Sequence, residues 1–407
     1  MKSAKTRSVV REMMNNTARS YLVLHALWLS LGAATALGLA RFAYALILPP
    51  MKDALGWTYA QAGAMNSANA VGYLVGALAA NSVLTRWSPR LAFIATALIT
   101  AASLIASGTT ANYAVLQALR VLGGIASAVL FIAGGLLGAQ LASADRSRAG
   151  LLLGIYYGGV GIGLMLSGIC IPWLLHYPMR DAWRWAWVIL GMLSLIPAGC
   201  ALWTRLPVAA VSQAGGQEGG RGLSRLFWAL CSYFLFGAGY IGYMTFVIAA
   251  LREGGHGSWW FVSGFWGLLG LAAFLSSWIW AWLIDRSSAG RGLALLLAVV
   301  CAGAAVPALT TLPWAMLISA VLFGAALLSV VAATTALVRK ALPAERWARG
   351  IAAFTIAFAF GQMAGPVLVG KVIDISHSNG AGLAMSALPI GLAACIACLQ
   401  PRVDSIG

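Results

Sequence analysis

The chain has 407 residues, 61% of them hydrophobic and 9% charged, with a formal net charge of +16; an ordinary soluble domain is about 25% charged. No soluble core could bury so much apolar surface, so the composition is that of a polytopic membrane protein. Its basic residues are scattered among the polar segments, which excludes a nucleic-acid patch and fits loops that set membrane topology.

Segment 1–21 is basic and runs into an apolar stretch without a small-residue cleavage site, as expected of a cytoplasmic tail before an uncleaved helix. A spanning helix needs about 20 apolar residues. Charges, prolines and glycine clusters cut the chain into twelve such runs. The first six lie near 22–48, 60–84, 91–108, 113–141, 150–172 and 185–203. The second six lie near 226–250, 259–284, 293–311, 314–338, 350–373 and 381–399. Between the sets stands "AVSQAGGQEGGRGLSR" at 210–225, Gly-rich and polar as a flexible linker is. It lacks the strand, spacing and lysine of a phosphate loop. The predicted organisation is therefore a bundle at 22–203, a linker at 204–225, a bundle at 226–399 and a tail at 400–407, all α-helical. The six cysteines fall inside apolar runs and read as small membrane hydrophobes, Cys395-x-x-Cys398 included.

Alternating the connections gives the sidedness. Nineteen of the 26 basic residues fall on the side of both termini and five on the other (Lys52, Arg180, Arg184, Arg252 and Lys371), leaving Arg41 and Arg120 within spans. Cytoplasmic loops gather Lys and Arg, so both termini are expected inside, in the cytoplasmic (inner) membrane.

The halves repeat at an offset near 200. "LGLARFAY" from Leu37 pairs with "FGAGYIGY" from Phe236, setting Gly38 against Gly237, Arg41 against Tyr240 and Tyr44 against Tyr243. "TRWSPR" after span 2 pairs with "DRSSAGRG" after span 8, and "YGGVGIG" from Tyr157 pairs with "FGQMAGP" from Phe360. Twelve spans in two six-span repeats resemble the major facilitator superfamily of secondary transporters. "LIDRSSAGRG" (Asp285, Arg286, Gly290, Arg291) resembles its loop signature, and "RVLGG" (Arg120, Gly124) its fourth-span arginine signature. "GLARFAYALILPPM", "NSANAVGYLVGALAA", "YYGGVGIGLMLSG", "WRWAW" and "GQMAGP" together resemble the YbfB/YjiJ-type subgroup. The resemblance implies two pseudo-symmetric six-helix bundles, a substrate site near the midplane between them, and transport by alternating access. The loop after span 2 departs from the signature, with Ala80 where the acid is expected, so a gating role is expected only of the second loop.

Arg41 stands eight residues before Pro49, about 12 Å along a helix, and half the hydrocarbon thickness is about 15 Å. A charge near the midplane costs about 2.5–3.5 kcal/mol on insertion scales. None of the ten acids lies deep in a span. Arg41 thus either anchors an anionic solute through its forked donors or rests on backbone carbonyls and structural water. Tyr44 is expected one turn away on the same face, with Tyr240 and Tyr243 facing it from span 7. In span 2, Asn66, Asn69 and Tyr73 form a polar stripe that either lines a cavity or bonds a neighbouring helix. In span 11, Gln362 shares a face with Thr355 and precedes Gly365-Pro366, where the helix can kink. Arg120 is expected to do structural or gating work. Gly154, Gly158, Gly161 and Gly168 are spaced for close helix packing.

Substrate binding is therefore expected at Arg41, Tyr44, Asn66, Asn69, Tyr73, Tyr240, Tyr243 and Gln362. His25, His176, His256 and His377 are expected to be solvated at helix ends or loops, and Asp53 and Asp374 to be gating or salt-bridge residues. No span holds a titrating acid, which points to substrate-carried protonation, anion exchange or facilitated diffusion. The leading expectation is a monomeric secondary transporter of a small organic anion, with no cofactor or metal. The 42 aromatic residues keep open an exporter of amphiphilic drugs or metabolites. A membrane sensor or scaffold on a transporter fold is the alternative from another class. No nucleophile–base pair marks an intramembrane enzyme.

Overall fold

A computed structural model describes residues 21–402 apart from 146–147, 204–222, 288–289 and 344–345. Most of the expected linker and both tails therefore lie outside the described residues, as do Arg205 and Arg221. Among the described residues, twelve helices are long and apolar enough to cross a membrane. They are α1 (Tyr21–Leu55), α2 (Tyr59–Arg86), α3 (Pro89–Thr109), α4 (Tyr113–Ala144), α5 (Ala149–His176) and α6 (Ala182–Leu202). The second set is α7 (Phe227–Glu253), α8 (Trp259–Ile279), α9 (Gly290–Leu309), α10 (Pro313–Ala341), α11 (Trp347–Ser376) and α12 (Asn379–Cys398). With an even number of crossings, Tyr21 and Cys398 share one face of the molecule, the near face. The turns at 56–58, 110–112, 177–181, 254–258, 310–312 and 377–378 form the far face.

Local chemistry sets the helix ends. Thr58 and Gln61 make a reciprocal capping box at the start of α2. Ser88 accepts from the Leu91 amide ahead of Pro89, which suits the first helical position. Asn112 caps α4 and Ser378 caps α12 in the same way. The first helix continues past the expected end at 48. Pro49 and Pro50 lie inside its last turns, and Gly56 ends it in the left-handed region at φ 66°. Two adjacent prolines remove only the donors for carbonyls one turn earlier and leave the fixed φ helical.

Small residues fix the packing. A Cβ on Gly124 would land on the Asn69 carbonyl, so α4 lies directly against the polar stripe of α2. Gly159 and Gly163 of α5 meet the Ser30 and Ala34 carbonyls of α1, while Gly361 and Gly365 of α11 meet the Phe234 and Ala238 carbonyls of α7. The internal repeat is thus a repeat of contacts, and the chain forms two pseudo-symmetric six-helix bundles. Gly365 acts in helix packing, and α11 runs as one continuous helix through Pro366. The glycines at 154, 158, 161 and 168 all face α8, where they meet Trp278, Phe274, Gly270 and Trp266. This contact joins one bundle to the other.

The loop signature lies on the near face. Asp285 and Arg286 are exposed in a short helical turn, Ala281–Arg286, and Arg291 is exposed beyond it. The Lys340 ammonium donates to the carbonyls of Ile284, Asp285 and Ser287 at 2.8–3.0 Å, tying this turn to α10. Gly290 abuts Ala397 of α12, and its N–H reaches the Gln400 carbonyl at 3.3 Å. In the first half, Thr85 precedes Arg86 as Asp285 precedes Arg286, so Thr85 and not Ala80 is the residue in register with the acid. Ala80 is buried more than a turn earlier.

Gly124→Val is expected to lower the thermal unfolding midpoint of the purified protein by several degrees, since overpacking costs about 1–3 kcal/mol. Gly267→Ala, where nothing lies within 4 Å of the added Cβ, is expected to leave the midpoint within a degree or two. Unfolding followed by tryptophan fluorescence checks both.

Candidate functional site

The site begins with a local departure from α geometry. Residues Ala34–Phe42 form a π-helical stretch, closed by the Ala43 N–H on the Gly38 carbonyl at 2.9 Å. Gly38 sits against Gly163, where a Cβ would come within 2.6 Å of the neighbouring Cα. A π turn advances fewer degrees per residue than an α turn, so residues three apart no longer share a face.

That geometry separates Arg41 from Tyr44. Arg41 is 2% exposed and turns toward the second bundle, where its Nη2 donates to Gln362 Oε1 of α11. Its guanidinium lies 5.3 Å from the Tyr73 ring centroid. The edge of Phe42 meets Tyr240 at 6.4 Å, and Tyr240 stacks on Phe236 and Phe358. Arg41, Tyr73, Gln362 and Tyr240 therefore gather at the boundary between the bundles. Arg41 Nε is buried with no hydrogen-bond partner, and so is Asn69 Oδ1.

Tyr44 does not join them. Its hydroxyl donates to the Ala62 carbonyl at 2.9 Å, and its ring stacks on Trp187 at 5.9 Å. Tyr243 is also turned away: it stacks on Phe323 at 4.0 Å and shares a 2.7 Å hydrogen bond with Ser319, inside the second bundle. The expected face for both rests on α-helical spacing, which the π stretch breaks for Tyr44. For Tyr243, the α10 partners Ser319 and Phe323 decide the direction. Thr355 returns its hydroxyl to the Ile351 carbonyl and does not meet Arg41.

Arg120 is handled differently from Arg41. Its guanidinium donates to the Ala40 carbonyl at 2.6 Å, to Asn66 Oδ1 at 3.1 Å and to the Met65 carbonyl at 3.4 Å. It also lies over the Tyr44 and Trp187 rings, at 5.2 and 5.3 Å. Both arginines lack an acidic partner among the described residues, but Arg120 has acceptors on all three nitrogens. Asn66 is therefore shared: its oxygen holds Arg120 while its amide donates to Thr245 of α7 at 2.7 Å. Asn69 donates to the Arg120 carbonyl at 3.2 Å, an approach that Gly124 permits.

Among the described residues, six hydrogen bonds join the two bundles. They link Arg41 to Gln362, Asn66 to Thr245, Trp266 to Ser167, the Tyr59 and Ala60 amides to Asp374, and Asn379 to the Tyr59 hydroxyl. Every one lies at the level of Arg41 or between it and the far face. Asp374 is the strongest, its two oxygens accepting from adjacent amides at the start of α2 at 2.8 and 2.9 Å. Glu253 braces the same corner through both nitrogens of Asn379, at 2.9 and 2.6 Å. Asp53 pairs with Lys52 at 2.9 Å and stays largely exposed. Sequence reasoning missed Thr245, Trp187 and Phe358. Thr245 carried a signal as a polar residue in an apolar run: its hydroxyl donates to the Ile241 carbonyl of its own helix and leaves its lone pairs for a donor on another helix. His25, expected to be solvated, is 3% exposed, with Nδ1 on the Tyr21 carbonyl and Nε2 unpartnered. Among the described residues no group of three His, Cys, Asp or Glu is placed to hold a metal ion.

Known proteins share this architecture. The chain superposes on a point mutant of the nucleoside transporter NupG with a TM-score of 0.73 at 15% identity, over 93% of this chain and 98% of that one. It superposes on a bacterial homologue of the human lysosomal transporter Spinster, inward-facing and occupied, with a TM-score of 0.71 at 17% identity, over 95% and 97%. A chloramphenicol resistance protein of Streptomyces lividans is 28% identical over 190 residues, 43% of this chain. The chain spans just under half of that relative's length, 46%. A family model described as "Uncharacterised MFS-type transporter YbfB" matches residues 33–398. With that match covering nearly every span, the chain belongs to the YbfB-type family of the major facilitator superfamily, whose members are membrane transporters and not enzymes.

Proposed function

We propose that the protein is a secondary transporter of a small organic anion, with Arg41 as its anchor. The observation that carries this reading is the state of the Arg41 guanidinium. It is buried at the boundary between the bundles, it meets one neutral amide oxygen, and its Nε is unpartnered. A carboxylate or phosphate oxygen is a better acceptor than an amide for a guanidinium out of water. The entering anion displaces Gln362 from Arg41, and Tyr73 and Tyr240 close on its organic part. Asn66 and Asn69 act through Arg120 and the helix contacts and hold the floor of the site.

Exchange of the Arg41 partner couples binding to movement, because Gln362 belongs to the other bundle. The six inter-bundle hydrogen bonds all lie on the far half of the molecule, which supports a conformer sealed at the far face by Asp374 and Glu253. On the charge asymmetry of the loops, the near face is cytoplasmic in the inner membrane, and this conformer opens inward. Alternating access then consists of breaking the Asp374 contact while the near ends close.

A second reading, export of an amphiphilic compound, is favoured by the name of the Streptomyces lividans relative and by the rings of Tyr233, Phe236, Tyr240 and Phe358, which form a stacked series with neighbouring centroids within 6 Å. The absence of an acid beside these rings among the described residues disfavours a cationic cargo.

Arg41→Gln is expected to cut uptake of the preferred organic anion at least tenfold in proteoliposomes while leaving the unfolding midpoint unchanged or higher, since a charge costing about 2.5–3.5 kcal/mol is removed. Arg41→Lys keeps the charge and loses the fork, so its uptake falls between the two. Uptake by Arg41→Gln at the native rate rules the anchor out. Gln362→Ala removes the competitor for Arg41, and tighter anion binding, about two- to fivefold by calorimetry, is expected. The seal is tested with Phe246→Cys, at a buried ring 6.0 Å from that of Tyr59, in a protein whose native cysteines are replaced. Asp374→Ala is expected to raise thiol labelling of this cysteine from the far side, and unchanged labelling contradicts the seal.

A further inference from the structure

The two halves differ at one corner of the far face. At an offset of 200 residues, Lys52, Thr58, Tyr59 and Ala60 correspond to Arg252, Ser258, Trp259 and Trp260. The ends of α5 and α11 correspond at an offset of 202, which pairs Gly159 with Gly361 and Gly163 with Gly365 in equivalent contacts. In one corner Asp374 of α11 sets a carboxylate on the Tyr59 and Ala60 amides. The residue in register in the other corner is Pro172, which has no carboxylate to offer. Ser258 makes no capping hydrogen bond with its side chain, whereas Thr58 does. The space left there is a cleft of about 490 Å³ between α1, α5, α7 and α8.

The walls of this cleft have a definite chemistry. Arg252 and His176 supply the charged and titratable groups, Ser258 a hydroxyl, and Leu46, Pro172 and Leu175 an apolar side. No acid lines it. Arg252 makes no ion pair among the described residues. Asp53, the acid that acts on it electrostatically, is held by Lys52 at 2.9 Å. His176 lies 5.9 Å from Trp259 and 5.8 Å from Tyr177, and Tyr177 meets Trp173 at 5.3 Å. Trp173, Tyr177 and Trp260 are roughly half exposed or more. Aromatic rings at that level mark the boundary between hydrocarbon and headgroups, so the cleft opens where a lipid headgroup lies.

We propose that this cleft is a second binding site, independent of the central one, for an oxyanion headgroup carried on an apolar chain. The oxyanion takes the place that Asp374 fills in the opposite corner, against Arg252 and the start of α8, and the chain runs along Leu46 and Leu175. Occupation ties α5 of one bundle to α7 and α8 of the other, as Asp374 ties α11 to α2. An anionic phospholipid carries this chemistry, and so, without the chain, does free phosphate.

The test uses the full-length protein in detergent, with native mass spectrometry to count retained lipid and the unfolding midpoint as a second readout. The additions are phosphatidylglycerol, phosphatidylcholine or inorganic phosphate. Phosphatidylglycerol is expected to be retained in preference to phosphatidylcholine and to raise the midpoint. Arg252→Gln is expected to reduce its retention at least fivefold, with Arg252→Lys recovering much of it. Pro172→Asp supplies the missing carboxylate internally and is expected to exclude the lipid while keeping the native midpoint. Arg86→Gln, at an exposed arginine on the near face, is expected to change nothing. Protection by inorganic phosphate that is lost in Arg252→Gln supports the oxyanion site with a soluble occupant. Equal retention of the two lipids, or retention of phosphatidylglycerol unaffected by both Arg252→Gln and Pro172→Asp, overturns the proposal.

Discussion

A guanidinium buried without a carboxylate is the constraint around which the centre of this molecule is arranged. Among the described residues there are two such groups, on α1 and α4, and the protein treats them in opposite ways. Arg120 is saturated by two carbonyls, an amide oxygen and two aromatic faces, all from the first bundle. Arg41 is given one amide from the second bundle and one ring. The saturated cation cements α1, α2 and α4 into a unit. The undersupplied one lies where that unit meets its partner, and its remaining capacity is what the proposed anionic solute would use.

The contacts between the bundles have a matching division. On the α5–α8 seam the glycines of α5 receive the Trp266, Phe274 and Trp278 side chains and Gly161 meets Gly270, giving a closely packed surface with few directional bonds. Such a seam tolerates sliding, since dispersion contacts re-form after small displacements. Three of the directional bonds meet at the far corner, where Asp374 and Asn379 reach Tyr59 and Ala60, with Glu253 bracing Asn379 from within the second bundle. A rocking motion therefore has a pivot that yields and a clasp that must open, a pairing suited to switching between two states.

How much of this is legible in the sequence depends on the range of the interaction. The spans can be counted from local composition, because burial in lipid demands continuous apolar helices. Arg41, Tyr73, Tyr240 and Gln362 can be singled out for the same reason, as polar groups costly enough to need partners. Tyr44 and Tyr243 are misdirected, since their orientation follows from a π stretch and from α10 side chains, neither of which is written in their own neighbourhood. The proline pair at 49–50 reads as a helix end, whereas proline in the last turns removes few bonds. The burial of His25 escapes notice because position near a helix start does not reveal what packs over it. Asp374 can be suspected from its place at a membrane boundary, but not its bidentate grip on a helix 314 residues away in sequence.

The wide turns of α1 have a bearing on engineering. A π stretch holds more residues per turn than the α-helix around it, so its existence depends on segment length more than on side-chain identity. Deleting one residue between Ala34 and Phe42 would remove the surplus residue that the wide turn absorbs and let the segment relax to ordinary winding, with the flanking portions near their present faces and the residues inside the stretch turned. Arg120 could still be solvated by its own bundle, but Arg41 would be carried off the seam. The length of this stretch therefore sets where Arg41 points, as much as the identity of its neighbours does.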